Sequence, residues 1–277
     1  MPTKTRLMKA ILRRLHLLGL ARGLRQRVRT IAYARGNLPY WLHGAPDRLP
    51  LPPLRLITLA TGQPDIHWYL EGGQLAESAI RDALAGTGAS IEGFRAVLDF
   101  GCGSGRVFRR WSSISGPRFC GCDYNPALVR WCADRLPFGE FCGNQLAPPM
   151  SFPTQSFDFI YALSVFTHMP ARLQFAWIEE LRRILIPGGY LLLSTHGERY
   201  LDDLTREEQD QFRSGRLVVK YDEVAGSNTC GAYHPATYVR AELSVGFDLL
   251  THLPEGARGN PYQDLYLLRK PAGPSLP

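Results

Sequence analysis

A chain of 277 residues, 45% hydrophobic and 21% charged, is long enough to bury a substantial core and has the make-up of an ordinary globular protein. No apolar run approaches the roughly 18 residues of a membrane-spanning helix. The six cysteines (Cys102, Cys120, Cys122, Cys132, Cys142 and Cys230) form no CxxC pair and no zinc-ligand spacing. These features exclude a helical integral membrane protein and a zinc-ribbon architecture, and they lead to the expectation of a reduced, cytoplasmic protein with no metal site.

The net charge of +7 is unevenly placed. Residues 1–35 hold ten Lys and Arg and no acid, which leaves the rest of the chain at −3. Within this stretch Leu7, Ile11, Leu15, Leu18, Leu24, Val28 and Ile31 keep near-helical spacing between the arginines. A basic amphipathic arm is therefore expected over 1–35, suited to an anionic membrane surface or an acidic partner. A secretory signal fits poorly, because its apolar stretches are short and cut by charges. Nucleic acid is disfavoured by the lack of interleaved aromatics.

Residues 36–56, rich in Pro and aromatics, read as an extended connector, and 57–92 as helical pieces, so 36–92 forms a connector and helical cover. From 93 onward, strand and helix patterns alternate. Strand 95–99 leads to helix 104–114, strand 118–122 to helix 126–136, and a short strand lies near 139–142. Strand 157–162 leads to helix 170–185, stopped by the "IPGG" of 186–189, and strand 190–195 follows. Residues 246–270 hold two strand-like runs with no helix between them, so one edge strand must run antiparallel. The expected fold is α/β: a doubly wound, mostly parallel sheet with an antiparallel C-terminal hairpin strand over 93–277.

The motif that organises this domain is "VLDFGCGSGR" (97–106), where a strand ending in Asp99 runs into Gly101, Gly103 and Gly105. Glycine tolerates positive φ and has no Cβ to block a ligand. No lysine follows in the P-loop pattern, so the turn is not a triphosphate site. Arg106 stands where the third glycine of a dinucleotide fingerprint would need to be. The next strand ends in Asp123, 18 residues past Gly105. A strand-end carboxylate beside a glycine turn can accept both ribose hydroxyls, so the seat suits a nucleoside without phosphates.

These residues resemble the class I S-adenosylmethionine-dependent methyltransferases over about residues 57–270. "VLDFGCGSGR" is similar to that family's first motif, "GCDYNP" to its second, "FDFIYALSVFTHM" (157–169) to its fourth, and "LRRILIPGGYLLLSTHG" (181–197) to the segment that follows. The resemblance implies a Rossmann-like methyltransferase fold with S-adenosylmethionine as cofactor. It implies that Asp99 and the backbone around Gly101, Gly103 and Gly105 hold the methionine part. Asp123 would bind the ribose, with Tyr124 and Leu163 on the two adenine faces. Asn144 stands where the family often has an acid that meets the adenine amino group.

Methyl transfer to a hydroxyl is helped by a base within hydrogen-bond reach. His168 and His196 follow the fourth and fifth strands, and His234 sits in an irregular, polar stretch (227–239) expected to face substrate. His168 and His234 are the catalytic candidates. The acceptor is expected to be an oxygen of a small molecule or glycan. The alternatives are N-methylation of a small molecule, protein or RNA, or an inactive cofactor-binding scaffold docked through its basic arm. Peripheral contact with the inner membrane surface through 1–35 is part of the expectation.

Overall fold

A computed structural model describes residues 32–260 and 262–272; the expected arm thus falls, but for 32–35, outside the described residues. The chain divides into two compact units between Tyr69 and Leu70.

In the first unit, helix α1 covers residues 32–43 and α2 covers Leu54–Thr61, while α3 begins at Ile66 and runs to Ala85. The extended connector expected from residue 36 is corrected here, since 36–43 are helical in spite of Pro39. Tertiary bonds override the local signal. Tyr33, Asn37 and Tyr40 recur at i, i+4 and i+7. The Tyr33 hydroxyl donates to Gln63 (2.8 Å), Asn37 donates to the Pro64 carbonyl (2.9 Å) and accepts from the Ile66 N–H (2.9 Å), and the Tyr40 hydroxyl meets His67 Nδ1 (2.9 Å).

The second unit is built on a sheet in the order β3-β2-β1-β4-β5-β7-β6. Its strands are β1 (Ala96–Phe100), β2 (Arg118–Asp123), β3 (Glu140–Gly143), β4 (Phe157–Ala162), β5 (Leu185–His196), β6 (Val218–Lys220), β7 (Gly231–Tyr233), β8 (Asp248–Leu253) and β9 (Gln263–Arg269). The pairs β3-β2, β2-β1, β1-β4 and β4-β5 are parallel. β9 pairs antiparallel with β5 along Tyr190–His196, with β8 beyond it, as the hairpin pattern requires. β1 and β4 are buried along their whole length, consistent with a sheet covered on both faces.

The helices explain where the strand ends go. Asn125 caps α4 (Pro126–Arg135) by accepting from the Ala127 N–H, and Pro126 suits the first turn, where its missing N–H costs nothing. α5 (Ala171–Ile184) buries the stripe Leu173, Trp177, Leu181 and Ile184 into the main core, alongside Phe100, Phe157 and Leu193. α6 (Arg206–Arg213) carries a capping box between Thr205 and Glu208, and its acids are surface residues of a short helix.

Two expectations fail after β1 and before β8. The helix expected at 104–114 shrinks to a 3₁₀ segment, Phe108–Trp111. Gly103 and Gly105 both have positive φ (56° and 80°), so the chain is still reversing where the first helical turn would form. Phe108 and Trp111 are nonetheless buried, as the apolar stripe required. The stretch 227–239 is less irregular than expected, since it contains β7, antiparallel to β6. All six cysteines are free, and only Cys142 is not buried.

Candidate active site

The carboxyl ends of β1, β2, β4 and β5 converge on the glycine turn. Gly101, Gly103 and Gly105 all take positive φ. The reason for two of them is packing: a Cβ on Gly101 would collide with Val165 Cγ2, and one on Gly105 would lie 2.6 Å from Leu136 Cδ1. The turn is therefore pressed between the β4 loop and the end of α4. Its Gly103 N–H donates to Asp123 Oδ2 (2.9 Å), and Asp123 Oδ1 accepts from the Asn125 N–H (2.8 Å). Asp123 is buried, and burial raises its carboxyl above the usual range, opposed by these two bonds. Each carboxylate oxygen takes one backbone N–H and keeps a lone pair for a second donor.

Asp99 is also buried. Parallel register sets it beside Tyr161 of β4, whose hydroxyl donates to the carboxylate and accepts from Trp111 Nε1–H (2.9 Å). Burial raises Asp99 to about 7; the Tyr161 bond and the charge of Arg106 oppose this, and the charge of Asp123 adds to it. Arg106 also donates to the Gly259 carbonyl (2.7 Å) and Asn260 Oδ1 (3.0 Å), tying the turn to the loop before β9.

Tyr124 is 45% exposed and its hydroxyl donates to the Gly226 carbonyl at 2.6 Å. Asn144 follows β3, and its N–H donates to the Asp123 carbonyl (3.1 Å). Its side-chain Nδ2 donates to Gln145, whereas Oδ1 is buried and has no hydrogen-bond partner. A buried acceptor without a donor is costly unless a ligand supplies one. Leu163 is half-buried in the turn after β4, next to Ser164 at φ 58°. That left-handed residue is secured by a bond from its N–H to Ser194 Oγ (2.8 Å) and one from Gln263 Nε2 to its own Oγ (2.9 Å).

The histidines divide into two kinds. His168 Nδ1 lies 2.8 Å from the Cys230 carbonyl and His196 Nδ1 lies 3.1 Å from the Ala232 carbonyl. A carbonyl can only accept, so in both rings Nδ1 carries the proton and Nε2 is left as the acceptor. The two rings are edge to face at 6.3 Å, and His196 also stands against Tyr200 (4.1 Å) and Tyr233 (5.3 Å). Burial lowers His168; burial and the neighbouring charge of His168 lower His196 to about 4, so both are neutral at physiological pH.

His234 is different. It is wholly buried, neither ring nitrogen has a partner of ordinary hydrogen-bond geometry, and burial, then the charge of His196, lowers it to about 3. The stretch expected to turn this ring toward substrate encloses it instead, and its backbone N–H donates to the His196 carbonyl (2.7 Å). His168 is thus brought together with His196 rather than with His234. Tyr161 and Tyr200 are further site neighbours that the motifs did not single out, and Arg106, read only as standing in a fingerprint glycine's place, joins them. Only the period-2 alternation along β4, once aligned with β1, could have pointed to Tyr161.

These residues gather at the carboxyl edge of a Rossmann-like methyltransferase sheet, and the comparisons with known proteins agree on that fold. Residues 98–193 match the family described as "Methyltransferase domain". The chain is 32% identical over 106 residues to a 2-methyl-6-phytyl-1,4-hydroquinone methyltransferase of Synechocystis sp., covering 37% of this chain and 32% of that protein. It is 31% identical over 136 residues to the 27-O-demethylrifamycin SV methyltransferase of Amycolatopsis mediterranei, covering 46% and 48%. It therefore spans about a third to a half of the curated relatives it matches. A solved S-adenosylmethionine-dependent methyltransferase of Methanosarcina mazei superposes with a TM-score of 0.51 at 22% identity, covering 67% of this chain and 96% of that one. A glycopeptide N-methyltransferase bound to S-adenosyl-L-homocysteine gives 0.51 at 15%, covering 71% and 90%. Residues 98–193 thus match a methyltransferase domain, and the fold is that of the Rossmann-like S-adenosylmethionine-dependent methyltransferases.

Proposed function

We propose that this protein transfers a methyl group from S-adenosylmethionine to an oxygen of a small molecule or glycan. The observation that carries this reading is one sheet edge that joins a nucleoside seat to a pair of neutral histidines with the same proton position. The residues fit the cofactor. Asn144 Oδ1 is a buried acceptor in want of a donor, which the adenine amino group provides. Asp123 has lone pairs free for the ribose hydroxyls, with Tyr124 and Leu163 flanking the adenine. Asp99 and the backbone of Gly101, Gly103 and Gly105 take the methionine end, where a cationic group favours the ionised carboxylate.

S-adenosylmethionine supplies an activated methyl carbon, so the protein's part is to align the acceptor and relieve it of a proton. His168 and His196 are both bases of the right protonation state, with Nε2 as the accepting atom. His196 is the addition to the expected pair. His234 becomes a base only if its enclosing segment opens. A hydroxyl acceptor needs such a base and an unprotonated amine does not, which favours oxygen over nitrogen. The hydroquinone and rifamycin relatives support a small-molecule acceptor. The arm of residues 1–35 would hold the enzyme peripherally on the cytoplasmic face of a membrane.

The test is transfer from deuteriomethyl-labelled cofactor into fractionated cell extract, with Asp123→Ala and His196→Gln as controls and mass spectrometry as the readout. Heavy methyl on a small molecule or glycan that disappears with both variants supports the reading. Label confined to RNA or protein amines overturns the acceptor assignment, and cofactor binding with no transfer to any fraction overturns the activity.

A further inference from the structure

Helix α1 has its polarity reversed relative to an ordinary surface helix. Its inward residues Tyr33, Asn37 and Tyr40 are hydrogen-bonding groups, each tied to the 63–67 segment. Its outward residues are large and apolar: Leu38 is 49% exposed, Trp41 51% and Leu42 68%. They stand at i, i+3 and i+4, so they form one continuous patch. An isolated exposed leucine needs no explanation, but two leucines and a tryptophan side by side on one turn do.

Along the chain, residues 1–46 carry charge of a single sign. The first acid of the chain is Asp47, and the ten Lys and Arg of residues 1–35 lead directly into α1, with Arg35 inside it. An apolar wedge on a helix without acids, reached through a basic run, is complementary to a surface with negative headgroups above hydrocarbon. Tryptophan is the side chain best suited to that boundary, with an apolar body and one N–H donor. Three side chains fall well short of the roughly 800 Å² per partner that a stable dimer buries. A single aromatic is also a poor platform for stacked bases.

We propose that the outward face of α1, formed by Leu38, Trp41 and Leu42, inserts into the interfacial layer of an anionic lipid membrane. This rests on the reading of the basic arm as a membrane contact and goes further, since it assigns the insertion itself to three residues beyond the arm. The arm then supplies attraction and α1 supplies burial.

The experiment is co-sedimentation of the full chain with phosphatidylglycerol and with phosphatidylcholine vesicles. It compares wild type, the triple variant Leu38→Ser/Trp41→Ser/Leu42→Ser, and a variant with the arm's Lys and Arg changed to Gln. Wild type should bind phosphatidylglycerol only, and the triple variant should bind at least about tenfold more weakly. Equal binding by wild type and triple variant overturns the inference but leaves the arm reading intact. No binding of wild type to phosphatidylglycerol overturns both. Self-association without vesicles, abolished in the triple variant, would assign the patch to a second copy instead. Quenching by brominated lipid, compared between wild type and Trp41→Phe, decides the matter even if the triple variant misfolds: an identical loss of fluorescence in both means that Trp41 does not enter the bilayer.

Discussion

Replacing Asp99 with asparagine should stabilise the cofactor-free protein, increasingly so as the pH rises. The carboxyl is enclosed with only Tyr161 as hydroxyl donor, and burial takes it from an ordinary 3.8 to about 7. For an acid whose folded value is raised, the penalty is absent below the unfolded value, grows between the two, and is complete above the folded one. At 1.36 kcal/mol per tenfold, the full penalty is on the order of 4 kcal/mol, reached above about pH 7. Asparagine keeps the shape and an oxygen to accept from Tyr161 but carries no charge. Urea unfolding of wild type and Asp99→Asn should therefore diverge, by roughly 1.5 kcal/mol at about pH 5 and about 4 kcal/mol at about pH 8. The same carboxyl should lose its proton when a cationic ligand arrives, so S-adenosylmethionine binding near neutral pH should release a proton. Calorimetry in two buffers of different ionisation enthalpy detects that release, and Asp99→Asn should abolish it. A stability gap that stays constant with pH, together with no proton release in wild type, would refute the reasoning.

Asp123→Ala should weaken S-adenosylmethionine binding roughly 10- to 100-fold per ribose bond lost, because hydrogen bonds to a charged acceptor are worth about 1.5–3 kcal/mol; unchanged affinity in calorimetry would remove Asp123 from the ribose site. Gly105→Ala combines φ 80° with a Cβ 2.6 Å from Leu136 Cδ1, and should cost about 1–3 kcal/mol of stability, read as a lowered thermal midpoint. Tyr124→Phe removes the bond to the Gly226 carbonyl, and should raise the rate of limited proteolysis within 222–230 while leaving the thermal midpoint nearly unchanged.

Much of the sheet could be read from the sequence, because its signals are local. The strand expected at 157–162 is β4 residue for residue, and the hairpin between 246 and 270 is β8 and β9. Asp123 and the glycine turn were legible for the same reason: a strand end and a positive-φ turn are written in adjacent residues. What failed depended on distant partners. α1 is helical because Asn37 and two tyrosines find the 63–67 segment, although Gly36 and Pro39 read as breakers. Tyr161 meets Asp99 only through the register of two strands some sixty residues apart. The histidines show the limit most plainly. All three lie at strand ends or in loops, yet which ring is sealed and which keeps an accepting nitrogen depends on the carbonyls of β7 and the residue before it.

Those carbonyls also link the two halves of the site. Gly226 donates its N–H to the His168 carbonyl at 2.7 Å and accepts the Tyr124 hydroxyl at 2.6 Å. It does so at φ 81°, with Leu146 Cδ1 2.7 Å from where a Cβ would stand, so no other residue fits there without displacement. Four residues later the same segment presents the Cys230 carbonyl to His168 Nδ1, and Ala232 then serves His196. The ring assigned to the adenine thus secures, through one glycine, the segment that sets the proton on both candidate bases. On the proposed reading, a cofactor seated against Tyr124 steadies the bases that act on the acceptor. On that reading the two sites are coupled, and by linkage each ligand should tighten the binding of the other.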